Sequence, residues 1–157
     1  MKNNILILGA SSFIGYSLLK KKKWFGTISK PLKNYKTSAK KKRIIKNKNK
    51  LIYFNYKKKN SFKNISKYNI LINCIGFTKN FQNDKFNLKK EKANINEYFK
   101  VIKELIELNN VKLFIHIGSS AEYGYSKNLI NENSKCRPET KYGKYKYFEF
   151  KKLKKII

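Results

Sequence analysis

The amino-acid sequence predicts an α/β fold, a parallel sheet doubly wound with helices. Three observations predict it. Short apolar runs recur, unbroken at Ile5 to Leu8 and largely apolar at Ile70 to Ile75 and Leu113 to Ile117, and strands buried on both faces read this way. Each run is closed by a glycine or a polar residue. Helical or polar connectors separate the runs, an alternation that brings strands in parallel through right-handed crossovers. The expected strand order is 3-2-1-4-5.

The first unit is Asn4 to Gly15, Asn-Ile-Leu-Ile-Leu-Gly-Ala-Ser-Ser-Phe-Ile-Gly. A buried strand ends at Gly9, Gly15 follows six positions later, and Phe13 to Leu19 carries apolar residues at helical spacing. A strand, a glycine turn and a helix at this spacing form the opening of a dinucleotide-binding fold. The helix start then offers its unbonded N–H groups to a pyrophosphate. Trp24 to Ser29 reads as the second strand, ended by Lys30 and Pro31. The end of this strand meets the adenosine ribose, where an acid favours NAD and a base accommodates the 2′-phosphate of NADP. Lys30 there, with Ser29 beside it, tilts the expectation to NADP.

Pro31 to Lys50 is basic and reads as a loop or a short irregular helix. Leu51 to Tyr56 is the third strand, and Ser61 is expected to cap a short helix carrying Phe62 and Ile65. Ile70 to Ile75 is the fourth strand, closed by Gly76. Phe77 to Lys90 reads as a polar loop. Lys92 to Asn109 is the clearest helix, with Ile95, Tyr98, Phe99, Ile102, Leu105 and Ile106 on one face and Asn109-Asn110 ending it. Leu113 to Ile117 is the fifth strand and leads into Gly118-Ser119-Ser120. Glu139 to Lys155 is the last helix. The singled-out residues Gly9, Lys30, Asn55, Gly76 and Ser119 all fall at carboxyl ends of strands, where such sheets bind ligands.

At 157 residues one domain is expected. The net charge of +29 is extreme, yet of 38 basic residues only Arg43 and Arg137 are arginine. Lysine is spread through every segment together with abundant Asn and Ile, the mark of A/T-rich codons. A nucleic-acid surface mixes Arg with Lys and clusters them, so no specific nucleic-acid partner is expected. The charge still attracts anionic ligands. Cys74 and Cys136 fit no metal or redox spacing, and His116 is the only histidine, so no metal site is expected. A reducing cytoplasm fits this cysteine usage, and no run is long enough to span a membrane.

Tyr142 and Lys146 stand four apart in Tyr-Gly-Lys-Tyr-Lys, one helical turn, on one face. Tyrosine is a poor base at neutral pH, and an ammonium beside it favours the phenolate. Such a tyrosine can exchange a proton with a substrate hydroxyl while hydride moves to a nicotinamide. Ser119, at the end of a strand, can orient the same substrate oxygen.

With these motifs in hand, the chain resembles the extended short-chain dehydrogenase/reductases, the NAD(P)-dependent nucleotide-sugar epimerase/dehydratase group. Gly9-Ala-Ser-Ser-Phe-Ile-Gly15 is similar to the family's glycine loop, and Asn73-Cys-Ile-Gly76 to its segment after the fourth strand. Asn94-Ile-Asn96 opens the long helix as the family's does. Ile117-Gly-Ser-Ser-Ala-Glu-Tyr-Gly124 resembles its serine segment, and Pro138-Glu-Thr-Lys-Tyr-Gly-Lys-Tyr-Lys146 its tyrosine segment. The resemblance implies a catalytic set of Ser119, Tyr142 and Lys146. Tyr142 would be the acid/base. Lys146 would lower its pKa and hold the nicotinamide ribose, and Ser119 would bind the reacting hydroxyl. Counting back from Tyr123-Gly124 selects Ser119 over Ser120. The resemblance also implies cofactor contacts from Gly9, Ser12, Phe13, Ile14, Gly15, Lys30, Asn55, Tyr56, Ile75, Gly76 and Asn94, with Tyr142 and Lys146.

Two departures from the family pattern stand out. Ser12 replaces the middle glycine, so its side chain must fit beside the pyrophosphate or hydrogen-bond to it. The chain also ends at Ile157, just after the tyrosine helix, where family members continue with further strands and a substrate domain. The expectation is therefore an incomplete NAD(P)-binding Rossmann-like domain over residues 1–157. It would act on a nucleotide sugar when the missing part is supplied, and the helices at 92–109 and 139–155 offer a homodimer contact. The competing expectations are an inactive NAD(P)-binding fragment and, more remotely, a basic nucleic-acid-binding module.

Overall fold

The computed structural model describes residues 4–21, 24–31, 34, 42, 44–76, 87–108 and 111–156. Five strands form one sheet: β1 (Ile5–Leu8), β2 (Phe25–Ile28), β3 (Leu51–Tyr53), β4 (Ile70–Asn73) and β5 (Leu113–His116). Among the described residues, the helices that accompany them with both ends in place are α1 (Phe13–Lys21), α2 (Leu88–Leu108) and α3 (Lys141–Leu153). The order across the sheet is β3-β2-β1-β4-β5, all parallel, as the alternation of elements predicts. Ile5, Leu6, Ile7 and Leu8 face Ile70, Leu71, Ile72 and Asn73 in register, and Ile70 to Asn73 face Leu113 to His116. The fold is α/β and Rossmann-like.

Two compact units make up the chain. The first, residues 1–76 with 104–117, holds the whole sheet. Leu6, Ile7 and Leu8 are fully buried, as the unbroken apolar run requires of a central strand. Ile7, Ala10 and Leu19 form a core onto which Leu18, Trp24, Leu51 and Cys74 pack. At the edge, β5 is less covered, with Leu113 and Ile115 exposed. The second unit, residues 77–103 with 118–157, carries most of α2, the serine segment and α3.

Several boundaries differ from the sequence reading. Helix α2 begins at Leu88, four residues before the expected start. Asn87 accepts a hydrogen bond from the Lys90 N–H at 3.0 Å, and its carbonyl accepts from the Glu91 N–H. An Asn at this position satisfies first-turn donors that the helix leaves open, and Glu91 favours the positive end of the dipole. Ser61 does not cap a helix: it lies inside the 3₁₀ turn Lys59–Ile65, 3 % exposed. Its Oγ accepts from the Asn55 N–H at 3.0 Å, tying the turn to the end of β3. The last helix starts at Lys141, where the Thr140 hydroxyl accepts from the Gly143 N–H at 2.9 Å. The polar connector over 77–86, the helix stop at Asn109-Asn110 and most of the basic stretch over 32–43 lie outside the described residues.

Candidate functional site

Within the first unit, the expected cofactor residues gather at the carboxyl ends of the strands. Gly9 follows β1 with φ +81°, a conformation that costs a side-chain-bearing residue. A Cβ on Gly9 would stand 2.8 Å from Ile75 Cγ1, so the turn after β1 lies directly on the segment after β4. Two of the expected residues, Gly9 and Ile75, are thereby brought together. A Cβ on Gly15 would stand 2.5 Å from the Gly9 carbonyl oxygen, which closes the loop tightly.

Ser12 takes a definite role in this loop. Its Oγ accepts a hydrogen bond from the Gly15 N–H at 3.0 Å, and its own N–H donates to the Gly9 carbonyl. The serine in place of glycine is thus the N-cap of α1, and it occupies one of the first-turn donors. Ile14 keeps a first-turn N–H with no hydrogen-bond partner among the described residues. Phe13 is 73 % exposed and Ile14 45 %, a pair of apolar side chains left open beside that helix start.

Thr27 escaped the sequence reading. Its Oγ1 accepts from the Gly9 N–H at 3.0 Å and its carbonyl from the Ala10 N–H at 2.9 Å, so β2 fixes the start of the glycine loop. No local signal marks it, because the partners are 18 residues apart. Lys30 is exposed two residues beyond β2. Asn55 is half-buried two residues beyond β3, and its Oδ1 accepts from the Lys57 N–H at 3.0 Å. Tyr56 carries the Lys57 ammonium 5.6 Å from its ring centre. Gly76 is exposed. The Cys74 thiol is pushed up to about 11 by burial.

Asn94, Ser119, Tyr142 and Lys146 lie in the second unit. Ser119 caps the 3₁₀ turn Ser120–Glu122 in a capping box. Its N–H donates to Glu122 Oε1 at 2.7 Å, and its Oγ accepts from the Ala121 N–H at 3.3 Å. Helix α3 meets this turn through Gly143: a Cβ there would stand 2.2 Å from the Ala121 carbonyl oxygen. Only hydrogen fits between the two backbones. Tyr142 precedes Gly143 and Ser119 lies two residues before Ala121, so this contact joins the serine and tyrosine segments. The chain from Tyr123 returns to the helix through the Arg137 N–H, which donates to the Tyr123 carbonyl at 3.2 Å.

Lys146 is 4 % exposed and its ammonium is hydrogen-bonded to Glu149 Oε2, one turn farther along α3. Tyr145 Oη donates to the other carboxylate oxygen at 3.0 Å. Burial raises the Glu149 pKa above the ordinary value; Lys146 and the Tyr145 hydroxyl pull against that, and the Glu122 carboxylate adds to it. Glu149 was absent from the sequence reading. Its spacing of three from Lys146 and four from Tyr145 was a readable signal, lost among the many lysine-bearing helical pairs of this chain. Asn94 is half-buried, its amide 3.5 Å from Glu91 Oε2.

Residues 5–154 match the model of the NAD dependent epimerase/dehydratase family. The chain belongs to this family. No curated protein gives a significant match. Among solved structures, it is similar to UDP-glucose 4-epimerase from Bifidobacterium longum in complex with NAD+ and UDP, with a TM-score of 0.70 and 17 % identity over 98 % of this chain and 49 % of that one. UDP-glucuronic acid 4-epimerase from Bacillus cereus in complex with NAD gives 0.65 and 20 % identity, over 98 % and 52 %. The Helicobacter pylori ADP-L-glycero-D-manno-heptose-6-epimerase gives 0.65 and 16 %, over 98 % and 51 %. This epimerase/dehydratase family member therefore spans about half the length of the structures it matches. No helix among its described residues is long and apolar enough to cross a membrane.

Proposed function

We propose that this chain is the NAD(P)-binding domain of an oxidoreductive epimerase or dehydratase acting on a nucleotide sugar. The observation that carries the reading is the Gly143–Ala121 backbone contact, which joins the segment bearing Ser119 to the helix bearing Tyr142 and Lys146. The glycine loop supports it. The tight Gly9–Gly15 turn, the Ile14 N–H at the start of a nine-residue helix and the exposed Phe13 and Ile14 side chains fit a pyrophosphate with an apolar flank. When bound, the nicotinamide would accept and return a hydride. Ser119 would donate a hydrogen bond from its hydroxyl to the reacting substrate oxygen and hold it in place. Tyr142 would take and return the proton of that oxygen, and Lys146 would favour the phenolate and hold the nicotinamide ribose.

Lys30 would meet the adenosine ribose, and its charge favours NADP, although several matched structures carry NAD in their descriptions. Because the chain spans half the length of those proteins, sugar-nucleotide turnover is proposed for it only with the remaining half supplied. Remote substrate contacts normally support orientation at the reacting carbon. Homodimer formation through the two long helices and action in the cytoplasm belong to the same reading.

The test is equilibrium titration of NAD and NADP, at salt high enough to screen the +29 charge. Saturable binding that Gly9→Val abolishes supports the proposal. Weak binding that the substitution leaves unchanged refutes it.

A further inference from the structure

Of the lysines on α3, Lys141, Lys144 and Lys151 are exposed and Lys152 is half-buried, but Lys146 is 4 % exposed. Placing an ammonium where water scarcely reaches is costly, and burial alone drives a lysine toward its neutral form. The helix nevertheless buries the one lysine that the proposed reaction needs charged. Tyr142 stands one turn before it and Glu149 one turn after it, so the three share a face of α3.

Glu149 is placed to meet that charge. It is 1 % exposed, and its Oε2 accepts from the Lys146 ammonium. Its Oε1 accepts from the Oη of Tyr145, itself fully buried, at 3.0 Å, so the carboxylate is fixed through both oxygens. Burial raises the Glu149 pKa while Lys146 and the Tyr145 hydroxyl hold it down, as expected of a carboxylate and an ammonium that keep their charges by each other. A second carboxylate, Glu122 in the turn after Ser119, also acts on Glu149 and raises its pKa. Glu122 Oε1 accepts from the Ser119 N–H at 2.7 Å, which ties it to the serine turn.

We propose that Glu149 is a positioning residue for this chemistry: it keeps Lys146 an ammonium in a site that would otherwise neutralise it, and holds that charge on the face shared with Tyr142. The proposal rests on the reading of Tyr142 and Lys146 given above. With the carboxylate in place, Lys146 favours the Tyr142 phenolate and donates to the nicotinamide ribose as a cation at neutral pH. Without it, the buried lysine becomes a neutral amine that offers no charge to either.

The first readout needs no cofactor: the titration of Lys146 Nζ, followed by heteronuclear NMR of protein carrying isotope-labelled lysine. Its signal is identified by its absence in Lys146→Met. Glu149→Gln keeps the shape and an acceptor for Tyr145 but removes the charge, and the Nζ titration should fall by about one pH unit or more. Glu149→Met, unbranched and of similar length, carries the same expectation should the amide not fold. Glu149→Asp, which restores a carboxylate, should recover part of the fall. The second readout is NAD affinity, at about 0.3 M salt to screen general attraction to the lysines. Lys146→Met should weaken NAD about tenfold or more at every pH, the loss of a hydrogen bond from a charged group. Glu149→Gln should weaken it progressively as pH rises through the lowered Lys146 titration. Lys144→Gln, on the exposed side of α3, should leave both readouts unchanged. A Lys146 titration at its wild-type pH in folded Glu149→Gln or Glu149→Met would overturn the proposal. NAD affinity unchanged in Lys146→Met would instead remove the reading on which the proposal rests, a failure that the Nζ titration tells apart.

Discussion

Removing Glu149 should expose how the second unit is held. Its carboxylate is the counter-charge of Lys146 and the acceptor for Tyr145 Oη, and both ionic side chains are almost wholly buried, at 5 % and 1 % exposure. Glu149→Ala leaves an ammonium without its carboxylate in a site water scarcely reaches. Breaking a buried pair from one side costs about 3–5 kcal/mol. The loss of the carboxylate as acceptor for Tyr145 Oη works in the same direction, while part of the loss is returned because the ionised Glu149 is itself poorly solvated. The expected outcome is a loss of about 3 kcal/mol or more, a fall in Tm on the order of 6–12 °C at this size. Urea unfolding followed by circular dichroism measures it, with an unchanged m-value required. Replacing the group together, Lys146→Met with Glu149→Leu and Tyr145→Phe, should recover most of the stability, since a well-packed apolar set equals or exceeds a buried ion pair. The pH dependence has a definite sign. The folded Glu149 holds its proton above the ordinary value of 4.5, so its contribution is fully present below that value and is lost as pH rises through the raised folded pKa. Glu149→Gln should abolish that component. A Glu149→Ala protein within about 1 kcal/mol of wild type at equal m, a loss typical of a surface pair, would refute the reasoning.

Gly143→Ala would place a methyl 2.2 Å from the Ala121 carbonyl, and unfolding should show a loss of about 1–3 kcal/mol as α3 is pushed off the serine turn. Lys30→Asp should lower the NADP-to-NAD affinity ratio, and an unchanged ratio in paired titrations would remove Lys30 from the ribose site. Asn87→Ala deletes the cap of α2 and should cost about 1 kcal/mol in denaturation, whereas Asn87→Asp should not. With its thiol at about 11, Cys74 should resist iodoacetamide at pH 8 and react only on unfolding, as peptide mass spectrometry would show.

The order of the strands was legible before any coordinates because each central strand announces itself locally. Ile5–Leu8 is an unbroken apolar run and Ile70–Asn73 is apolar up to its closing asparagine, and the connectors between strands are too long for hairpins, which leaves parallel crossovers. The glycine loop was legible for the same reason: Gly9 and Gly15 carry their constraint in their own lack of a side chain. The last helix, read as Glu139 to Lys155, is found at Lys141–Leu153, and the four-residue spacing of Tyr142 and Lys146 on it was readable once the helix was assigned.

Other features exist only where distant segments meet. Asn87 as a cap competes with every other Asn in an Asn-rich connector, and its selection depends on where α2 can begin burying Glu91 and Ile95. Thr27 acquires its role from β1, 18 residues away, because the Gly9 N–H needs an acceptor that β2 happens to present. Lys146 was read beside Tyr142 one turn back, and the fold adds Glu149, one turn forward, as a partner of its ammonium. Spacing sets which side chains share a helix face, but not whether a carboxylate on that face is taken out of water. Once Glu149 is buried, its carboxylate needs a cation within reach, and only the tertiary structure buries it.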